Sequence, residues 1–407
     1  MTKQQKKVLI LMEGIGLGGT STSLLNLLQA MRSYPQIDIT VGLINMDCRD
    51  RLPEGTKVLD LSCFSRRYAS RWDAVKRILC TAPLAWMQIK LIMRTERKKK
   101  ISVPRRVSLV QRYELRQARR AGKPLDLRRE FDVVISWCEM FTNYLLADRI
   151  LAEHKVAWIH PNYVQAGFAK KYDADMVAKV DRVVAVSRAG RQALAESFPE
   201  HAAKCRCIYN KLIEEDVSRK SLEQTVTLDH DVMNLITVAR IQNVSKAYER
   251  TLRAMKRLKD EGLTFRWLIV GDGENRESVR ELIREYGLEK EVEMLGAKSN
   301  PFPYVAAADV FLLCSYYEGF PMVVDEALAL GVPVLVTDYG AAREQVEDGR
   351  NGRIVANTEE GVYGGLAELL RNPACLSDYR EFLKERDTSS YASCDDFVSM
   401  IEEICEE

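Results

Sequence analysis

Residues 310–338 read VFLLCSYYEGFPMVVDEALALGVPVLVTD, and this stretch decides the fold. VFLLCS is apolar at consecutive positions, as a strand buried on both faces requires. A short loop carrying Glu318-Gly319-Phe320-Pro321 follows. Pro321 and Gly331 then sit where a helix favours them, near its first position and just past its last. That predicts a helix over about Pro321 to Leu330, and PVLVTD reads as another buried strand. Two parallel strands need such a crossover helix between them, so the stretch is a βαβ unit.

The same alternation runs outward through the chain. KKVLILME is followed by the helical TSLLNLLQAMRSY, and IDITVGLINM follows that. FDVVISW, KVAWIH, RVVAVS, NLITVAR, RWLIVGDG and EVEMLG are further strand candidates, most of them short and β-branched. The series restarts after a polar, irregular segment that begins at CRCIYNK, which predicts two doubly wound α/β domains, residues 1–207 and 208–407. A chain of 407 residues fits two domains of roughly 200 each. Such domains bind ligands beyond the carboxyl ends of their strands, in a cleft expected between the two.

Composition narrows the function classes. Apolar residues at 46% and charged residues at 29% describe a globular protein with ample core. A net charge of +2 supplies no global field for nucleic acid. The apolar run before Glu13, Val8–Met12, is only five residues long, too short for a signal-peptide core, and no run approaches the ~18 apolar residues of a membrane span. Ten cysteines without regular spacing, Cys205 and Cys207 being the only close pair, read as reduced thiols in a cytoplasmic protein. Four histidines, none at ligand spacing near the cysteines, predict no metal site.

Residues 84–130 break the rhythm. LAWMQIKLIM, residues 84–93 and including Trp86, is nearly all apolar, and residues 94–130 carry fourteen Lys or Arg against four acids. Two readings stay open. One is a solvated helical insertion. The other is an interfacial segment that rests on anionic lipid, a peripheral contact at the inner face of the membrane. Tyr113 is the only aromatic among these charges, which disfavours nucleic acid.

The candidate chemistry sits at strand ends. The predicted helix start offers the amides of Met322, Val323 and Val324 to a phosphate or a sugar hydroxyl. Glu318 in the loop and Glu326 about one turn inside the helix bracket that start, with seven residues between them. Carboxylates accept from vicinal hydroxyls, so the pair suits a ribose at one end and a hexose at the other. The alternatives are a Glu318 that caps neighbouring amides and a Glu326 in solvent. In LITVARIQNVSKAYERTLRAMKRL, Arg240 ends a strand and Lys246 lies near a helix start, two cations suited to a diphosphate.

With those residues in view, Leu235 to Val355 resembles glycosyltransferase family 4, retaining enzymes that use nucleotide sugars and have two facing Rossmann-like domains, the GT-B fold. VARIQNVSK, IVGDGENRESVRELIREYGLEKEVEMLG, YEGFPMVVDEALALGVPVLVTD and EQVEDGRNGRIV occur in the family's order, and Glu318 with Glu326 is its most specific mark. Weaker matches, GLGGTSTSLLNLL, WIH, VVAVSRAGRQAL and IYN, extend the likeness over most of the chain.

The resemblance implies roles. Arg240 and Lys246 match the pair that neutralises the donor diphosphate, Glu326 the ribose-binding carboxylate, and Glu318 the contact to the transferred sugar. The backbone of Phe320, Met322 and Val323 matches the segment holding sugar hydroxyls and phosphate, and His160 a histidine that reaches the donor sugar. The Gly18-Gly19 turn would let backbone approach donor phosphate and acceptor. It implies no cofactor beyond a UDP- or GDP-linked co-substrate, with ADP open, and a glycan or lipid-linked acceptor. No D-x-D motif lies near the donor residues, in keeping with metal independence. Ala239 and Ala247 stand where the family usually has glycine, and GGTSTS lacks its commoner charged residue.

Gly14, Gly16 and Gly19 also satisfy G-x-G-x-x-G, and Asp47 follows the second strand, the arrangement of a dinucleotide enzyme. The donor set in the other half weighs against hydride transfer. A nucleotide-sugar epimerase on the same fold and a non-catalytic partner subunit are the remaining alternatives.

Overall fold

The structure is a computed structural model that describes residues 5–16, 18–65, 103–385 and 394–407. It divides into two compact units. The first comprises Met1–Val186, Gly190–Ile208 and Cys394–Glu407, the second Ser187–Ala189 and Tyr209–Ser393. The linear division at residue 207 therefore leaves out the last helix, which belongs with the first unit.

In chain order the first half forms β1 (Lys6–Met12), α1 (Gly19–Ala30), β2 (Ile37–Leu43), β3 (Lys57–Asp60), α2 (Val103–Arg120), β4 (Leu125–Asp126), β5 (Val133–Ser136) and α3 (Phe141–Arg149). β6 (Ile150–Leu151), β7 (His154–Ile159), α4 (Lys170–Lys179), β8 (Arg182–Ala185), α5 (Arg188–Ser197) and β9 (Cys205–Cys207) follow. Seven strands make one parallel sheet in the order β3-β2-β1-β5-β7-β8-β9. β5 and β8 are buried at every position, as strands covered on both faces must be. Leu9, Leu11, Val134, Tyr144, Leu145 and Ala157 lie in the core on one side of this sheet.

The second unit runs α6 (Glu214–Ser221), β10 (Met233–Val238), α7 (Asn243–Lys246), α8 (Tyr248–Asp260), β11 (Phe265–Val270), α9 (Arg276–Glu285), β12 (Val292–Gly296) and α10 (Phe302–Ala307). It continues through β13 (Val310–Leu313), α11 (Met322–Ala329), β14 (Val334–Thr337), α12 (Ala342–Gln345), β15 (Gly352–Val355), α13 (Glu359–Arg371) and α14 (Cys375–Glu385). Its six-stranded parallel sheet has the order β12-β11-β10-β13-β14-β15. The last helix, α15 (Asp395–Glu406), places Phe397 against Trp158 of the first unit, ring centroids 6.1 Å apart.

Both sheets reverse strand order once. β1 lies between β2 and β5, and β10 between β11 and β13. These are the switch points at which neighbouring loops part and leave a crevice beyond the strand ends. The glycine turn leaves β1 at the first, and the segments carrying Arg240 and Glu318 leave β10 and β13 at the second.

The apolar run 84–93 lies outside the described residues, and so do residues 94–102. The remainder of the basic stretch begins with α2, whose Gln111 and Ala118 are buried while Arg112 and Arg116 are exposed. Among the described residues no helix is long and apolar enough to cross a membrane.

Candidate functional site

The loop between β13 and α11 is built as its spacing predicts. α11 begins at Met322 with Pro321 as its N-cap, and Gly331 follows with φ 72°, the left-handed conformation that glycine adopts without steric penalty. The amides of Met322 and Val323 make no hydrogen bond with the described residues. Val324 differs from expectation: its N–H donates to Pro321 O at 3.1 Å, so the open anion-binding surface consists of two amides rather than three. Gln345 Nε2 donates to the same carbonyl at 3.1 Å and fixes the helix entry from α12.

Glu318 and Lys246 meet. Lys246 Nζ and Ser315 Oγ each donate to Glu318 Oε1 at 2.5 Å, so one carboxylate oxygen is used within the protein. Oε2 makes no hydrogen bond with the described residues. The two side chains keep 18% and 13% of their exposure, enough shielding for the pair to hold in salt. Tyr316 N donates to Ser245 O at 2.7 Å, which ties the loop carrying Glu318 to the turn carrying Lys246.

Arg240 behaves differently. It is exposed and makes no ion pair or hydrogen bond with the described residues. Its backbone is nonetheless fixed. Ala239 N donates to Val270 O at 3.1 Å and Ile241 N to Asp272 O at 3.0 Å. A Cβ on Gly271 would lie 1.9 Å from Ala239 O, and one on Gly273 2.4 Å from Ile241 O. Only glycine permits so close a crossing, and the crossing presents a free guanidinium on a rigid base.

Glu326 is 9% exposed, and its side chain makes no hydrogen bond with the described residues. Burial pushes its carboxyl up to about 7, the Asp325 carboxylate adds to the rise, and Lys220 opposes it. A carboxyl so shielded is costly to ionise, and a ligand with hydroxyl donors would relieve that cost.

Ala247 has φ 53° and ψ 34° and is buried. This alanine thus takes a glycine-like conformation, at roughly 1 kcal/mol of strain.

The first unit gathers its own strand-end residues. Trp137, just past β5, stacks on Trp158 with centroids 4.5 Å apart and donates its indole N–H to Thr20 O at 3.1 Å. That bond ties the first turn of α1, next to Gly18 and Gly19, to the β5 end. A Cβ on Gly16, Gly18 or Gly19 would meet nothing within 4 Å, so space above the turn is open. His160 Nε2 lies 2.8 Å from Trp137 O. A carbonyl only accepts, so Nε2 carries the proton and Nδ1 is the acceptor of a neutral ring. Burial lowers the His160 pKa, against an opposing pull from Glu139 and from the Trp137 carbonyl, and this favours the neutral ring. Asp47 is exposed, on a 3₁₀ turn beyond β2, while Cys48 and Asn45 face Gly14.

Sequence reasoning missed Ser315, Gln345 and Arg250. The last is 4% exposed, donates to Cys314 O at 2.7 Å and to Asn357 Oδ1 at 2.8 Å, and packs under Tyr316 at 4.3 Å. Its only local signal is an arginine on an otherwise buried face of α8.

Residues 218–388 match the family model described as glycosyl transferases group 1. A Campylobacter jejuni N-acetylgalactosamine-N,N'-diacetylbacillosaminyl-diphospho-undecaprenol 4-alpha-N-acetylgalactosaminyltransferase is 30% identical over 210 residues, 51% of this chain and 56% of that protein. The putative colanic acid biosynthesis glycosyltransferase WcaL of Salmonella typhimurium is 37% identical over 150 residues, 34% of this chain and 36% of that protein. The chain thus spans about half, or less, of the length of these relatives. Among solved structures, Anabaena HepE in complex with UDP and glucose superposes with a TM-score of 0.66 at 16% identity, over 99% of this chain and 100% of that one. TarM of S. aureus, in complex with UDP among other ligands, gives 0.67 at 12% identity, over 99% and 100%. The chain has the two-domain Rossmann-like fold of these glycosyltransferases, and the match to the group 1 glycosyl transferase model lies within its second unit.

Proposed function

We propose that this protein is a retaining, metal-independent glycosyltransferase of family 4 that moves a hexose from a UDP- or GDP-linked sugar to a hydroxyl acceptor. The observation that carries the reading is the convergence, at the second sheet's switch point, of the free Arg240 guanidinium, the Lys246–Glu318 pair and two open amides of α11. A diphosphate is the ligand that uses all three. Glu326 then receives the ribose hydroxyls, and Glu318 Oε2 a hydroxyl of the hexose.

In the reaction, the bond from the anomeric carbon to the β-phosphate oxygen breaks. The departing phosphate takes the acceptor's proton on the same face, so configuration is retained without a covalent intermediate. Charge develops on the diphosphate, and the protein's contribution is a fixed set of donors around it. Arg240 and the Met322 and Val323 amides are already in place. Lys246 must share its proton donors between Glu318 and the phosphate, which couples sugar and phosphate recognition. His160 contributes an acceptor, Nδ1, for a hydroxyl of the donor sugar.

The relatives support a role in polysaccharide or glycolipid synthesis, and the Campylobacter jejuni protein, which by its name acts on a diphospho-undecaprenol, favours a lipid-linked acceptor. Calorimetry with UDP, GDP and ADP tests the proposal. Micromolar binding of one nucleotide is expected, and absence of binding by all three would overturn it.

A further inference from the structure

The turn after β5 carries more unsatisfied chemistry than the proposed donor chemistry uses. It leaves the first sheet at its switch point, between the ends of β1 and β7. Cys138 O accepts from Thr142 Oγ1 at 2.6 Å and from Ser136 Oγ at 3.1 Å, and Trp137 N donates to Leu11 O at 3.1 Å, so the turn is rigidly held. Met140 is forced to φ 64° and ψ −110°.

Among the described residues, two acceptors in this region lack a donor. Glu139 Oε2 is buried without a hydrogen bond, and so is Asn143 Oδ1, whose Nδ2 is committed to Trp158 O at 3.0 Å. Buried acceptors are ordinarily satisfied, and a pair of them without a donor asks for a ligand or water that brings both. Glu139 lies within electrostatic reach of both His160 and Cys138, and Cys138 also feels Glu13 at the end of β1. Carboxylates therefore flank this region from two strands. No cation of the diphosphate set belongs to this unit, so the ligand that fits is neutral and rich in hydroxyl donors.

We propose that Glu139 binds a hydroxyl of the acceptor's terminal sugar, and that this site takes neutral hexoses or N-acetylhexosamines while repelling uronic acids. The assignment to the acceptor rests on the glycosyl-transfer reading, because a donor hexose offers the same hydroxyls. The substituents of the sugar separate the two sources.

Saturation-transfer NMR with methyl glucoside, methyl N-acetylglucosaminide and methyl glucuronide, without nucleotide, tests the binding directly. Wild-type protein should saturate at least one neutral glycoside and not the glucuronide. Glu139→Gln keeps the size and the fold, checked by its melting temperature. It should weaken the neutral glycoside about tenfold, as loss of one charged hydrogen bond implies, and admit the glucuronide. Glu139→Asp should restore the exclusion. No saturation of any glycoside by the wild type, or equal saturation by the Gln variant with the glucuronide still excluded, overturns the inference. Calorimetry with UDP-glucose and UDP-N-acetylglucosamine separates the sources: an affinity lost in Glu139→Gln while glycoside binding stays normal would assign Glu139 to the donor sugar instead. Failure of the wild type to bind any nucleotide sugar counts against the donor reading alone, since the glycoside measurement contains none.

Discussion

The two switch points of this protein are prepared in opposite ways. Beyond β10 and β13, Lys246 and Ser315 hold one oxygen of Glu318, and Arg240 has no ion-pair partner among the described residues. Beyond β5 and β7, Glu139 Oε2 and Asn143 Oδ1 have no partner among the described residues. The first arrangement suits an anion that enters a set of donors held nearly in position. The second suits a neutral ligand that supplies its own donors. A single fold, used twice, thus presents complementary surfaces because different side chains occupy equivalent strand ends.

The contrast breaks most sharply at Arg240. Arg240→Ala should lower turnover by roughly 10²–10³, the loss typical of removing one donor from a charge-stabilising site. The melting temperature should hardly move, because the side chain has no partner among the described residues. Turnover near wild type would remove Arg240 from the mechanism.

Lys246 and Glu318 should respond as a pair. Lys246→Met or Glu318→Gln alone strands a shielded partner and should destabilise by about 1–3 kcal/mol. The double variant should recover much of that stability and none of the turnover, and a denaturant double-mutant cycle measures the coupling. Additive losses would mean the pair is not the stabilising contact described here.

Glu326 gives the smallest effect and the clearest sign. Its folded carboxyl titrates near 7 against the ordinary 4.5. The folded protein therefore holds the proton that the unfolded chain releases, and stability falls as pH rises from about 4.5 to about 7. Glu326→Gln should raise the melting temperature at pH 8 and leave it unchanged near pH 4. If ribose binding uses the ionised form, as the proposed role of Glu326 requires, wild-type affinity should climb from pH 6 to pH 8, at most about tenfold per unit. The Gln variant should show weaker and flatter binding by calorimetry.

Much of this was legible in the chain because it is local. Strands apolar on both faces, Pro321 and Gly331 around one helix, and the spacing of Glu318 and Glu326 are short-range patterns with direct physical causes. Two kinds of feature were not. Edge strands such as β3 and β9 are short and partly exposed, so no apolar run marks them. The supporting bonds of the site, Gln345 to Pro321 and Arg250 to Asn357, join residues 24 and 107 positions apart and follow no spacing rule. Glu139 was overlooked for a related reason: an acid beside a strand end looks like any solvated turn residue until the structure shows an oxygen without a donor.

The return of α15 to the first unit bears on how the molecule is made. Phe397 and Ile401 are almost fully buried, Phe397 lies against Trp158, and Tyr34 donates to Asp395 at 2.8 Å. A ribosome delivers these residues only after nearly two hundred others have emerged since β9. The first-made half must therefore wait, with one flank of its interior still wet, while the later half condenses ahead of it.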